Sequence, residues 1–148
     1  VVAAAGAAVT APGKWRCVDV AAGAGLPAGQ RFSAYCASEG GLVMFTKAIA
    51  MDLAADNIRV NAVCPGIVMT PLVERNLSLN ADRDAAYQRY ISRNLMKRFG
   101  TVAEVAGAVC YLAGPSGAFI TGEVLTVDGG NQLWGDQWTI PRPDYFIP

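Results

Sequence analysis

An α/β fold with a parallel sheet is predicted from two observations. Short β-prone runs alternate with stretches of helical periodicity long enough to serve as crossovers, and each run is closed by small residues, glycine or proline. Trp15 to Val20 is the first run, opened by Pro12-Gly13 and closed by Ala21 to Gly25. From about Ser33 to Ala55, Leu42, Phe45, Ile49 and Leu53 recur at three- and four-residue steps, which predicts a helix presenting these side chains as its apolar face. Gly40 and Gly41 each weaken that helix by roughly 1 kcal/mol against alanine, unless a neighbour needs the space.

The second run, Ile58 to Ala62, alternates with Arg59 and Asn61 and ends before Pro65-Gly66. Beyond Thr70-Pro71 a polar stretch through Lys97 reads as two short helices separated near Asn80. Thr101 followed by Glu104 has the capping-box spacing and opens a helix through about Leu112. The third run, Glu123 to Val127, is entered through Thr121-Gly122 and stopped by Asp128-Gly129-Gly130.

The 148 residues suffice for one domain with a substantial core. Twelve basic and twelve acidic side chains cancel, so no net field favours nucleic acid or an acidic membrane, and small molecules or protein are the expected partners. Cys17, Cys36, Cys64 and Cys110 lack paired spacing and the chain has no histidine, which excludes a Cys/His zinc site and fits thiols in a reducing compartment. The apolar opening, Val1 to Ala11, is too short to span a bilayer and has no basic flank, so a soluble, cytoplasmic protein is expected. Since the chain does not start with methionine, a processed, truncated or split product are all open readings. Residues 134–148 hold Trp134, Trp138, Tyr145 and Phe146 among three prolines, a tail expected to dock on its own chain or a neighbour's.

Tyr35 to Gly66, YCASEGGLVMFTKAIAMDLAADNIRVNAVCPG, resembles the active-site helix and following strand of the short-chain dehydrogenase/reductases. Ile120-Thr121-Gly122 with Asp128-Gly129-Gly130 resembles that family's last strand and its flanks. The resemblance runs from about Trp15 to Gln132 and implies the C-terminal half of a Rossmann-like, doubly wound parallel sheet, about three strands with flanking helices. It further implies NAD or NADP as cofactor and hydride exchange with an alcohol or carbonyl carbon. Tyr35 takes the proton-transfer position. Pro65, Gly66, Ile67, Val68 and Thr70 match the loop that offers backbone groups and a hydroxyl to the nicotinamide and phosphates. Read on spacing alone, Pro65-Gly66 is a turn and Thr70-Pro71 a helix start.

Three departures separate this sequence from the family pattern. Where the family has a lysine four residues after the tyrosine, position 39 is Glu. A phenol ionises near 10 and needs a nearby cation to work at neutral pH; a carboxylate one turn away opposes phenolate and predicts a raised Tyr35 pKa. Lys47 lies eight residues on, about 12 Å along a helix, too far to substitute. The family's serine falls on Ala22 by counting, or on Val20 by aligning the strand end, and neither has a hydroxyl. The Gly-rich nucleotide turn is absent as well; Gly23 and Gly25, with Pro27, fit the active-site loop better. These departures favour a degenerate half-domain acting as a subunit of a homo- or hetero-oligomer. The alternative is an oxidoreductase component completed by a partner chain. The outer edge of the Trp15 to Val20 strand then needs cover from another copy, a separate chain, or Val1 to Ala11 folded back.

Overall fold

The computed structural model describes residues 8–9, 15–23 and 32–133. Gly25, Pro27 and the aromatic tail from Trp134, to which the sequence assigned a loop and a docking role, lie outside these residues. Four strands form one sheet in the order β1 (Ala8–Val9), β2 (Trp15–Val20), β3 (Arg59–Pro65), β4 (Val124–Val127). β2, β3 and β4 are parallel, with Val20 opposite Val63 and Val63 opposite Leu125. β1 pairs antiparallel with the start of β2, Ala8 opposite Arg16 and Val9 opposite Trp15. Ala8 and Val9 of the opening segment therefore do fold back on the exposed edge, beside the first residues of β2.

The helices are α1 (Ser33–Asp52), α2 (Pro71–Ser78), α3 (Arg83–Ile91) and α4 (Val102–Ala113). Successive side chains of a strand point to opposite faces of the sheet, and the two core clusters obey this. Ala21, Cys64 and Val124 pack with Leu42 and Val43 of α1. Val18, Val63, Leu125 and Val127 pack with Val105, Val109 and Leu112 of α4. α1 and α4 thus cover opposite faces, giving three layers. Because β2, β3 and β4 follow one another in one direction across the sheet, the crossovers through α1 and α4 have opposite hands. One of them breaks the usual right-handed rule.

The face of α1 needs a correction. The predicted stripe included Phe45, which is 56% exposed; the buried residues are Glu39, Val43, Thr46 and Ala50. Compact side chains let the helix approach the sheet closely, and the bulkier Met44, Phe45 and Met51 face out. Periodicity gave the helix and placed Leu42, Ile49 and Leu53 on partly buried positions, but it set Phe45 on the wrong side. Gly41 has open space where a Cβ would stand, so no described neighbour requires it. The helix ends at Asp52, before a short 3-10 turn at Ala54–Asp56 whose cap, Asn57, takes a left-handed φ of 58°.

α4 begins as its sequence predicts: Glu104 N–H donates to the Thr101 hydroxyl (3.2 Å) and Thr101 N–H donates to Glu104 Oε2 (2.7 Å). Its other end is closed by Arg59, whose guanidinium donates to the carbonyls of Leu112 (2.7 Å) and Ala113 (3.4 Å), and to Ile120 (3.1 Å). A cation is the natural partner for orphan carbonyls at a helix C-terminus. Fully buried Asn61 ties the next segment, donating to the Ile120 carbonyl (2.9 Å) and accepting from Glu123 N–H (3.0 Å). Among the described residues no helix is long and apolar enough to cross a membrane.

Candidate active site

The carboxyl ends of parallel strands are where α/β sheets place ligands, and here three segments meet at that edge. Ala22 and Gly23 continue from β2; a Cβ on Gly23 would stand 3.3 Å from the Pro65 carbonyl oxygen. Pro65 and Gly66 leave β3, and the first turns of α1 carry Tyr35 and Glu39.

Gly66 is fixed by close approach. Its N–H donates to the Val127 carbonyl (3.0 Å), and a Cβ there would come within 2.6 Å of Asp128 Cβ. Asp128 in turn accepts from the N–H groups of Gly130 and Gln132, both at 2.8 Å. Gly130, at φ +80° and with Leu95 Cδ1 2.7 Å from its missing Cβ, closes the turn against the 92–98 segment. Beyond Gly66 the chain lies alongside Gly100: Gly100 N–H donates to Ile67 O and Met69 N–H to Gly100 O, each at 2.9 Å. These bonds use the groups on either side of Val68. The N–H and C=O of Val68 itself have no partner among the described residues. Thr70 caps α2, its hydroxyl accepting from Val73 N–H (3.3 Å) with Pro71 as the first helical residue, so the helix-start reading holds for it. The hydroxyl keeps its own proton to donate. The Ile67 side chain packs toward Leu77 and Phe99 rather than into the site.

Tyr35 is the third residue of α1, 43% exposed, with the Phe32 ring edge-on at 6.1 Å. Its pKa lies above the ordinary 10.0, pushed up first by burial, then by the charge of Glu39, then by Cys36. Glu39, only 9% exposed, starts the buried stripe of α1. Its charge also acts on Cys64 near the end of β3, whose thiol is raised by burial first and by Glu39 second. No donor among the described residues serves the Glu39 carboxylate. Position 39 therefore brings a negative charge, and no cation, into the space between the phenol and the end of β3.

Asp19, which sequence reading passed over, is 4% exposed in β2 and receives the Thr46 hydroxyl at 2.7 Å; the Leu42 carbonyl, at 2.9 Å, competes for the same proton. The Cys17 thiol, 3.6 Å from Asp19, is raised to about 11 by burial, then by the charge of Asp19 and its hydrogen bond. Asp19 pins α1 to the sheet three residues before Ala22. Its signal was a lone carboxylate inside the apolar run Cys17-Val18-Asp19-Val20. A cleft of about 270 Å³ lies elsewhere: Ile67, Arg98, Thr101, Glu104, Thr126 and Asp128 are among its lining, and neither Tyr35 nor Glu39 lines it.

A parallel sheet covered on both faces, with a tyrosine at the start of the helix after β2 and glycine turns at the ends of β3 and β4, defines a Rossmann-like α/β class of fold. The chain belongs to the short-chain dehydrogenase/reductase family. The family profile described as Enoyl-(Acyl carrier protein) reductase matches residues 2–132. D-beta-hydroxybutyrate dehydrogenase of Rhizobium meliloti is 36% identical over 121 residues, covering 78% of this chain and 47% of that protein. A short-chain dehydrogenase/reductase structure from Burkholderia xenovorans superposes with a TM-score of 0.78 at 30% identity, over 84% of this chain and 48% of that one. The actinorhodin polyketide ketoreductase, solved with NADPH, gives 0.73 at 38% identity, over 80% and 48%. The chain spans about half the length of the curated relatives it matches.

Proposed function

We propose that this chain is a degenerate short-chain dehydrogenase/reductase subunit, catalytically impaired alone and acting within an oligomer in the cytoplasm. The observation that carries this reading is Glu39, a buried carboxylate one turn from Tyr35 at the family's lysine position. A nicotinamide nucleotide, NAD or NADP, supplies hydride chemistry when bound. The residues around Val68 fit its carboxamide, since an N–H and a C=O side by side, without partners among the described residues, match an amide's acceptor and donor, and the Thr70 hydroxyl has a proton to offer. Pro65, Gly66 and Ile67 set the path of that loop. Tyr35 is the proton donor of such a site, but burial and Glu39 hold it as the neutral phenol, so it cannot return as a base at neutral pH. Neither Ala22 nor Val20 has a hydroxyl to polarise a substrate oxygen. Association through the outward apolar residues of α1 and α4, among them Met44, Phe45, Met51 and Tyr111, supports the oligomer.

The purified chain is expected to give no nucleotide-dependent oxidation of alcohols or reduction of carbonyls, with a native mass above that of one chain. Turnover by the pure chain would overturn this reading. A second reading, favoured by the intact Val68 loop and by the NADPH reported with the actinorhodin ketoreductase, is an NAD(P)-dependent oxidoreductase component completed by a partner chain. It requires that Tyr35→Phe abolish the activity of the reconstituted assembly; unchanged activity removes Tyr35 from that mechanism.

A further inference from the structure

The cleft of about 270 Å³ at the end of β4 takes no part in the site around Tyr35, yet its walls have a specific chemistry. Met96, Val105 and Val127 give it apolar surface, Arg98 a cation, and Asp128 a carboxylate. Arg98 donates through its N–H edge to the Phe99 carbonyl (2.9 Å) and to Glu104 Oε2 (3.0 Å), which leaves the flat face of the guanidinium for stacking. The two Asp128 oxygens each accept one backbone N–H, from Gly130 and Gln132, and each keeps a lone pair. An indole uses all three features: it has a large apolar body, the strongest cation–π face of the aromatic side chains, and a ring N–H that only donates. A cavity of roughly 150 Å³ already accepts a benzene ring, so this one has room for the bicyclic ring.

The sequence supplies two indoles beside the rim of this cleft. Gly130 lines it, and Leu133 N–H donates to the Gly130 carbonyl (3.1 Å), so the segment that starts at Trp134 leaves from the rim itself. Trp138, five residues beyond Leu133, is within about 17 Å of extended chain. Other segments outside the described residues are rooted elsewhere. Residues 10–14 join β1 to β2, at the edge of the sheet opposite β4, and residues 24–31 lead into α1, which covers the face opposite α4. We propose that the chain's own segment from Trp134 to Trp138 docks in this cleft, seating one indole against Met96, Val105 and the Arg98 guanidinium with its N–H directed at Asp128. The tail then ties the end of β4 to the start of α4 as structural cover, and it leaves Tyr35 and the outward face of α1 clear.

The test is NMR of the full chain carrying nitrogen-labelled tryptophan and carbon-labelled methionine and valine methyls. The indole signals of Trp134 and Trp138 are assigned by their loss in Trp134→Phe and Trp138→Phe. One of the two indoles is expected to show nuclear Overhauser contacts to the methyls of Met96, Val105 or Val127. Contacts from neither indole overturn the proposal. In a sample mixed from chains labelled only on tryptophan and chains labelled only on the methyls, the contacts are expected to be lost; contacts that persist there place a neighbour's tail in the cleft and overturn the assignment to the chain's own. A folded chain ending at Leu133 is expected to shift the Val105 and Val127 methyl signals by removing the ring beside them, and unchanged signals contradict the docking.

Discussion

Two regions meet at the carboxyl edge of the sheet, and they differ in how completely their polar groups are used. At the ends of β3 and β4 every element is interlocked: Gly66 against Asp128, Gly130 against Leu95, Asn61 against the 120–123 segment, Arg59 against the end of α4. At the start of α1 the tyrosine is half open, the adjacent carboxylate has no donor among the described residues, and the expected hydroxyl is missing. Framework geometry survives changes in chemistry because it depends on sterics and backbone hydrogen bonds. A proton relay depends on the sign of one charge, and a single residue reverses it.

The largest effect expected on the interlocked side follows from Gly66→Val, which would force a side chain into the space held by Asp128. A loss of about 3 kcal/mol in urea unfolding is expected, and unchanged stability would show that the β3 and β4 ends are not in close contact. Asn61→Ala removes a fully buried side chain, leaves the Glu123 N–H without its partner and leaves the Ile120 carbonyl with Arg59 alone, for a loss of about 2 kcal/mol in the same measurement. On the α1 side, Gly41→Ala should stabilise the isolated chain by about 1 kcal/mol, because open space receives the methyl. A loss of native mass on the same change would instead place a neighbouring copy against Gly41.

The smallest effect concerns pH and the start of α4. Hydrogen bonds from Arg98 first, then from the backbone and side chain of Thr101, lower the Glu104 pKa from 4.5 to about 2. A depressed carboxylate stabilises the fold above its unfolded pKa, and that contribution is lost as pH falls through the folded one. The stability difference between the wild type and Glu104→Gln should therefore be constant above about pH 5 and shrink between there and pH 2. A difference that grows on acidification would reverse the assignment.

How much of this was legible in the sequence depended on whether the controlling interaction was local. The Thr101 and Glu104 capping box was readable because both partners lie within one turn. The rise in the Tyr35 pKa was readable from one helical turn of spacing, although burial exceeds Glu39 as its cause. The outward face of Phe45 was not, since spacing fixes a period but not which stripe meets the sheet. Arg59, Asn61 and Asp19 act on partners 27 to 62 residues away, where no local pattern points. The Gly66 and Asp128 contact falls between these cases: both turns were visible, their mutual approach was not. Thr70 was open to two readings, and the Val73 N–H settled its capping role.

The most direct test of the claim that the framework persists while the relay is reversed is the titration of Tyr35, followed by carbon NMR of labelled tyrosine and assigned by its loss in Tyr35→Phe. The phenol is expected to ionise above 10.0 and to move down in Glu39→Gln, by less than the full rise because burial remains. Ionisation of Tyr35 at or below 10.0 in the unmodified chain would contradict the account.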